Sequence, residues 1–175
     1  MQQSMGMASQ RKPVIVRKFS RDWLAGYADA ALAGNLPALE ILDQGGKVIS
    51  IDWETVKWVC FVRDFTSTEQ SNPERLLQKK FKAKPRASGL WLRMTLTDGD
   101  ELEGLAANDR SLVDGAGLLL TPPDTRSNTQ RIYLPRGSIQ TLEVVGLIGA
   151  GHGKRGPSAS SIAQPELFPS EPERD

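Results

Sequence analysis

Charged and amide side chains gather in one short stretch of the sequence that has the composition of a turn. Asp124, Arg126, Asn128 and Arg131 lie there between two apolar segments. Guanidinium, amide and carboxylate groups at the end of a hairpin can recognise a carboxylate, a phosphate or the edge of a base. A structural interpretation competes and is favoured: Asp124 and Asn128 cap the turn while an arginine pairs with Asp124. The stretch is therefore a candidate binding surface that an ordinary turn also explains.

Three more charged residues join this candidate surface because they lie where predicted strands end. Arg63 and Asp64 directly follow an apolar segment, and Arg136 precedes the last predicted strand. A charged pair after a buried strand often marks only the end of that strand, so the same two interpretations apply to these residues.

A second candidate lies in the segment 67–89, which contains the basic cluster of the predicted folded region. Its lysines are Lys79, Lys80, Lys82 and Lys84. Such a cluster can contact phosphate or an acidic partner, although more often it is the solvated face of a linker. Helix formers after Pro73 predict a short helix in this basic linker.

The residues needed for catalysis or metal binding do not occur together in the sequence. The single histidine, His152, lies in a glycine-rich segment, and no Cys, His or carboxylate group has metal-ligand spacing. Cys60 lies between Val59 and Phe61, where no sequence neighbour lowers the pKa of its thiol. We predict a protein without enzymatic activity, cofactor or metal, in which Cys60 is a small buried side chain.

Both ends of the chain have the composition of disordered segments. Residues 1–12 show no apolar periodicity, and residues 149–175 are rich in Gly, Ser, Pro and charge. Within the second segment, Gln164, Leu167 and Phe168 belong to a pentapeptide that resembles the short motif by which bacterial proteins dock onto the DNA polymerase sliding clamp. Pro165 stands where that motif usually has leucine.

The stretch 90–148 predicts five short strands. Leu92, Met94 and Leu96 alternate with polar or aromatic residues, as in a strand with two distinct faces. Asp98-Gly99 follows at once and is a strong hairpin signal. Later apolar segments, separated by turns, complete a closed or nearly closed small barrel.

The stretch 13–66 repeats this order of strands and turns. Leu24-Ala25-Gly26 has the spacing of Leu102-Glu103-Gly104, and residues 49–59 match residues 132–142 without a gap. The sequence therefore predicts an all-β protein of two tandem five-stranded barrels, 13–66 and 90–148, joined by the linker 67–89. Trp53, Trp58 and neighbouring aromatic residues either fill the space between the barrels, which is favoured, or stack nucleic-acid bases.

Two family resemblances accompany these patterns. The first motif of Sm and Sm-like proteins, which are small SH3-like barrels, is similar to Leu92-x-Met94-x-Leu96-x-Asp98-Gly99-x-x-Leu102-x-Gly104, and the second is similar to Leu134-x-Arg136-Gly137-x-Ile139. The phrases 61–65, 92–104 and 117–133 are similar to an uncharacterised bacterial domain family whose members often accompany PilZ domains, which bind cyclic di-GMP. These resemblances imply a small-barrel fold and a bacterial signalling setting.

Composition limits the classes of function. The 175 residues carry 22 basic and 21 acidic side chains, and a net charge of +1 gives no chain-wide footprint for nucleic acid. The absence of a long apolar run predicts no membrane insertion and a cytoplasmic location. We predict a binding or adaptor module with a protein partner. The alternatives are an Sm-like RNA-binding ring and a sensor with a small ligand between the barrels.

Overall fold

The computed structural model describes residues 11–29, 37–65, 73–124 and 126–149. Within this part of the chain the protein is all-β. Ten strands form one antiparallel sheet, accompanied by three short 3-10 helices and a single α-helical turn.

The strands fall into two groups of five, separated by the basic linker. The first group comprises β1 (Arg11–Lys18), β2 (Trp23–Asp29), β3 (Ala38–Asp43), β4 (Val48–Asp52) and β5 (Val56–Val62). The second group comprises β6 (Gly89–Leu96), β7 (Glu101–Ala106), β8 (Gly117–Thr121), β9 (Thr129–Pro135) and β10 (Ile139–Ile148). The 3-10 helices span Trp53–Thr55, Pro73–Gln78 and Arg136–Ser138, and the helical turn α1 spans Ser111–Asp114.

The strand order across the sheet is β10-β6-β7-β8-β9-β5-β1-β2-β3-β4. Each group of five has the same internal order, in which its fifth strand lies beside its first and the others follow in sequence. The groups meet where β5 pairs with β9, with Cys60 opposite Ile132 and Phe61 opposite Arg131. Through this pairing, the strands predicted to form two barrels belong to one continuous open sheet.

The hairpin β6–β7 shows why these residues form strands. Leu92, Met94 and Leu96 are fully buried, as the alternation predicts, and their neighbours are only partly covered. Gly99 adopts a φ of 89° in the connecting turn, a conformation that glycine accepts without steric cost. The backbone N–H of Asp100 donates to the Asp98 carboxylate and closes the turn.

The hydrophobic core is shared between the two groups of strands. One cluster joins Trp58, Cys60 and Val62 of β5 to the buried faces of β6, β8 and β9. The other cluster is built mainly from β1, β3 and β5 but includes Tyr133 of β9. Burial of apolar surface is the main source of stability in a fold of this kind. Because each cluster contains residues of both groups, this burial holds the two groups of strands together.

The predicted start of the first group of strands needs a correction, and Gly89, predicted as part of the linker, begins β6. The segment 1–12 is predicted to be disordered, but Arg11 and Lys12 lie in β1, opposite Asp29 and Ala28. Backbone pairing with β2 fixes these residues despite their polar side chains. Residues 1–10 and 150–175, including Gln164, Leu167 and Phe168, lie outside the described residues.

No helix in the described ranges has the length and apolar character needed to cross a membrane.

Candidate functional site

Asn128, a residue of the predicted hairpin surface, forms hydrogen bonds with the backbone segment that follows β5. Its Oδ1 atom accepts hydrogen bonds from the backbone N–H groups of Arg63 (3.2 Å) and Asp64 (3.3 Å). Its Nδ2 atom donates to the carbonyl oxygen of Asp64 over 2.9 Å. The structure thus brings Asn128 together with Arg63 and Asp64, and all three residues belong to the predicted candidate surface. Asn128 holds the backbone of the other two residues in place.

Asp124 is also engaged within the protein. One carboxylate oxygen accepts a hydrogen bond from Lys79 Nζ at 3.1 Å, and the other accepts from the backbone N–H of Arg126 at 3.0 Å. The hydrogen bond from Lys79 and the weaker one from Arg126 hold the pKa of Asp124 below its usual value, although partial burial acts in the opposite direction. Asp124 therefore joins the hairpin to the basic linker.

Arg136 lies apart from the other arginines of the predicted surface. Arg126 and Arg131 are exposed near the start of β9. Arg136 lies beyond the far end of β9, where its Nη2 atom donates to the Ser111 carbonyl over 2.8 Å and its Nε atom donates to the Gly115 carbonyl over 3.3 Å. Arg136 thus fixes the loop that contains α1, away from the other candidates.

Some cations of the basic linker form ion pairs with acidic side chains, and for others the described residues include no acidic partner. Lys79 pairs with Asp124, and Lys80 Nζ lies 3.1 Å from Glu101 Oε2. Lys82, Lys84 and Arg86 are exposed and have no acidic partner among the described residues. The linker therefore keeps a local excess of positive charge although the whole chain is nearly neutral.

A cavity of about 740 Å³ lies between this linker, β7 and the connection from β8 to β9, and we call it the linker groove. Its apolar lining includes Phe81, Pro85, Leu105, Pro122 and Pro123. The cations Lys79, Lys80, Lys82 and Arg86 also line it, together with Asp124.

Phe81 is held in the linker groove by contacts on two sides. Its backbone N–H donates to Glu103 Oε2 over 3.1 Å. Its ring meets the Trp91 ring edge to face, with centroids 5.6 Å apart. Glu103 is itself buried and paired with Arg93, so the carboxylate that receives the Phe81 N–H is fixed in place.

A buried lysine that the sequence analysis missed links the two groups of strands. Lys57 of β5 is 4% exposed, and its Nζ atom pairs with Asp100 and lies 2.6 Å from Asp98 Oδ2, both in the β6–β7 turn. Its ammonium also lies 4.9 Å from the centre of the Trp58 ring. Burial by itself would raise the pKa of Asp98, but hydrogen bonds from Lys57 and from the backbone of Asp100 lower it overall.

Lys57 also borders a second cavity, of about 520 Å³, between the two groups of strands. Its lining combines four cationic side chains with the two aspartates of the turn: Arg17, Lys18, Arg21, Lys57, Asp98 and Asp100. In the sequence, Lys57 lies between apolar residues, so its neighbours give no sign of an ion pair. Its role becomes visible only in the structure, where the charged side chains meet around this cavity.

Cys60 is buried in the shared core, as its apolar neighbours predict. Burial raises the pKa of its thiol to about 12, and a hydrogen bond with Thr129 offsets part of that effect. Among the described residues, no group of three or more His, Cys, Asp or Glu side chains is arranged to hold a metal ion.

The aromatic residues of the first group of strands contribute largely to packing. Trp58 is fully buried, and Trp53 packs on Tyr133 of β9 with ring centroids 5.7 Å apart. Tyr27 meets Phe65 edge to face, whereas Trp23 is exposed on β2. Trp53 and Trp58 thus lie where the two groups of strands meet, which agrees with the packing interpretation.

The fold and these sites define an all-β protein with an apolar, cation-lined groove. The chain belongs to the family of unknown function DUF6982, whose model matches residues 10–146. Neither the curated proteins nor the solved structures include a significant match to the chain.

Proposed function

We propose that the protein is a non-enzymatic binding or adaptor module whose linker groove holds a short acidic segment of a protein partner. The observation that carries this proposal is the combination, in one groove, of an apolar lining with cations for which the described residues provide no acidic partner. An extended segment with apolar side chains and carboxylates is complementary to both features.

The apolar lining favours a peptide over a nucleic-acid backbone. Phe81, Pro85 and Pro123 are partly exposed and offer surface whose burial stabilises a complex only when the ligand brings apolar groups of its own. Phosphate contacts, by contrast, need many cations, and within the groove only Lys82 and Arg86 are without an acidic partner in the part of the chain that the structure describes.

The proposal includes the architecture of two related five-stranded units, each an Sm-like or SH3-like barrel. One pair of corresponding hydrogen bonds and one pair of corresponding turns support it. The backbone N–H of Phe19 donates to Thr55 and that of Thr97 donates to Ser138, each over 3.0 Å, where a first hairpin meets a 3-10 helix. Arg21 and Gly99 occupy corresponding turns and both have positive φ. We place this module in the bacterial cytoplasm, in a signalling setting, on the strength of the resemblance to domains found beside PilZ.

A fluorescence-anisotropy titration tests the groove. The probe is a labelled peptide with a central Leu-Phe pair flanked by glutamates, and the control peptide carries lysines in place of the glutamates. We expect the acidic peptide to bind and the variant Lys82→Glu/Arg86→Glu to weaken binding about tenfold or more, because attraction at two sites becomes repulsion.

The matched control variant is Arg126→Glu/Arg131→Glu, which reverses two exposed charges on the predicted hairpin surface. It should bind the acidic peptide like the unchanged protein. Loss of binding in this variant alone would assign the site to the hairpin and contradict the groove. Tight binding of a uridine-rich RNA, with no peptide binding, would instead support the alternative of an RNA-binding ring.

The alternative of a small-ligand sensor has its own structural support in the cavity beside Lys57. That cavity lies between the two groups of strands and contains four cations against two carboxylates, which suits a small anion. A rise in melting temperature with a nucleotide, abolished in Lys57→Met but retained in Lys82→Glu/Arg86→Glu, would favour the sensor over the adaptor.

A further inference from the structure

The two outermost strands of the sheet expose apolar side chains. In the part of the chain that the structure describes, β4 pairs only with β3, and β10 pairs only with β6. Val48 on β4 is 53% exposed, and Val144 on β10 is 54% exposed. An edge strand with unpaired backbone groups and apolar side chains is a template for pairing with another chain.

The pairing of β5 with β9 shows what such an edge contact looks like in this fold. β5 and β10 are corresponding strands: each follows a 3-10 helix and lies beside the first strand of its group, with Val14 opposite Phe61 and Leu92 opposite Val144. β4 and β9 correspond in the same way, since each is the fourth strand of its group and precedes that 3-10 helix. The internal contact thus joins a fifth strand to a fourth strand, and the outer edges are one fourth and one fifth strand.

The residue pairing between β5 and β9 indicates which residues would lie opposite each other if the outer edges of two molecules paired in the same way. The 3-10 helices Trp53–Thr55 and Arg136–Ser138 align the groups residue by residue, so that Phe61 corresponds to Val144 and Arg131 corresponds to Val48. Because Phe61 lies opposite Arg131, the same register places Val144 of one molecule opposite Val48 of another.

The difference in exposure between corresponding residues agrees with this assignment. Phe61 is 7% exposed and belongs to the core cluster that includes Tyr133 of β9, whereas Val144 has no strand on its outer side in the part of the chain that the structure describes. In the transferred register, Glu143 lies opposite Ile49 and Leu142 lies opposite Ser50, so no two like charges face each other across the contact.

We propose that the partner at these edges is a second copy of this chain, with β10 of one molecule adding antiparallel to β4 of the next and Val144 facing Val48. The proposal rests on the two-unit architecture proposed above but not on the linker groove. The contact is head to tail, because it joins two different surfaces, and it leaves one β4 edge and one β10 edge free. Repetition of the contact closes a ring or continues as a filament.

Light scattering on the full chain, over a range of concentrations, measures this association. The unchanged protein should exceed the mass of one 19.2 kDa chain. The variants Val48→Lys and Val144→Glu should each fall to the mass of a single chain, because a charge placed at the contact opposes burial of the facing valine. Val113→Lys is the matched control, since Val113 is exposed on α1 away from both edges, and it should leave the mass unchanged.

Mixing Val48→Lys with Val144→Glu tests whether β10 of one molecule pairs with β4 of another. One contact in the mixture places opposite charges face to face and the other is the unchanged pair of valines, so association should return. A mass of one chain for the unchanged protein at every concentration would overturn the proposal, as would a mixture that fails to associate.

Hydrogen exchange separates failure of this proposal from failure of the two-unit architecture. Amides of β5 and β9 should be protected in the single chain because their pairing is internal. Protected β5 and β9 without association would reject only the outer contact. Rapid exchange in both strands would reject the architecture on which the proposal depends.

Discussion

Asn128 shows how a residue with the chemistry of a binding site can be used for folding. Both functional groups of its amide bond to the backbone around Arg63 and Asp64, which lie far from it in sequence. The composition of the turn predicts a structural role for Asn128, but the partners could not be predicted because they arrive through the pairing of β5 with β9.

Cys60 gives a prediction on pH dependence. Its thiol has an ordinary pKa of 9.0, which burial raises to about 12 in the folded protein. As the pH rises, the unfolded chain therefore loses the thiol proton before the folded protein does. The contribution of this group to the free energy of unfolding decreases as the pH rises from the lower of these pKa values to the higher. The slope approaches about 1.4 kcal/mol per pH unit for a single fully shifted group.

Urea denaturation of the unchanged protein and of Cys60→Ala, measured from neutral pH upward, checks this expectation. The difference in free energy of unfolding between the two proteins should be constant below pH 9.0 and should decrease above it. A difference that stays constant through the alkaline range would contradict burial of a neutral thiol.

At the scale of elements, the sequence predicts the hairpins well and their assembly poorly. The alternation of Leu92, Met94 and Leu96 and the Asp98-Gly99 turn are local signals, and they identify β6 and β7 directly. The pairing of β5 with β9 joins residues far apart in sequence. Both strands are largely apolar, so their pattern does not specify a neighbour.

The linker groove could be predicted only in part for the same reason. The basic character of the linker is visible in the sequence, and Lys82 and Lys84 are exposed as a solvated face requires. The opposite wall comes from Leu105, Pro122 and Pro123, which the fold brings beside the linker. Lys79 and Lys80 find acidic partners there that the spacing of residues does not reveal.

The contact between β5 and the β6–β7 turn predicts an unequal effect of removing its charges. The Lys57 side chain is 4% exposed, whereas those of Asp98 and Asp100 are 34% and 41% exposed. The variant Asp98→Asn/Asp100→Asn leaves a buried ammonium without a counter-charge and should cost about 3 kcal/mol of stability. Lys57→Met leaves two carboxylates that water can reach, and it should cost about 1 kcal/mol.

Urea denaturation of both variants measures this order. Lys80→Met is a matched control, because the pair of Lys80 with Glu101 is more than half exposed on both sides, and its stability should change by less than about 0.5 kcal/mol. Equal costs for the first two variants, or the reverse order, would show that the Lys57 ammonium is not held in a buried setting.

At the scale of the whole molecule, a continuous sheet with shared cores makes the two groups of strands mutually dependent. Trp58 and Cys60 of β5 pack with residues of the second group, and Tyr133 of β9 packs with the first. The linker folds back against β7 and the β8–β9 connection through Glu103 and Asp124. This arrangement gives the linker groove fixed walls, as a docking site requires.

Hydrogen exchange with and without the acidic Leu-Phe peptide tests the central claim most directly, because it locates the bound segment on the intact protein. We expect slower exchange in residues 78–87 and 121–124 on binding, little change in 126–131, and no change at either site in Lys82→Glu/Arg86→Glu. Protection confined to 126–131, or to the cavity beside Lys57, would contradict the assignment of the linker groove as the docking site.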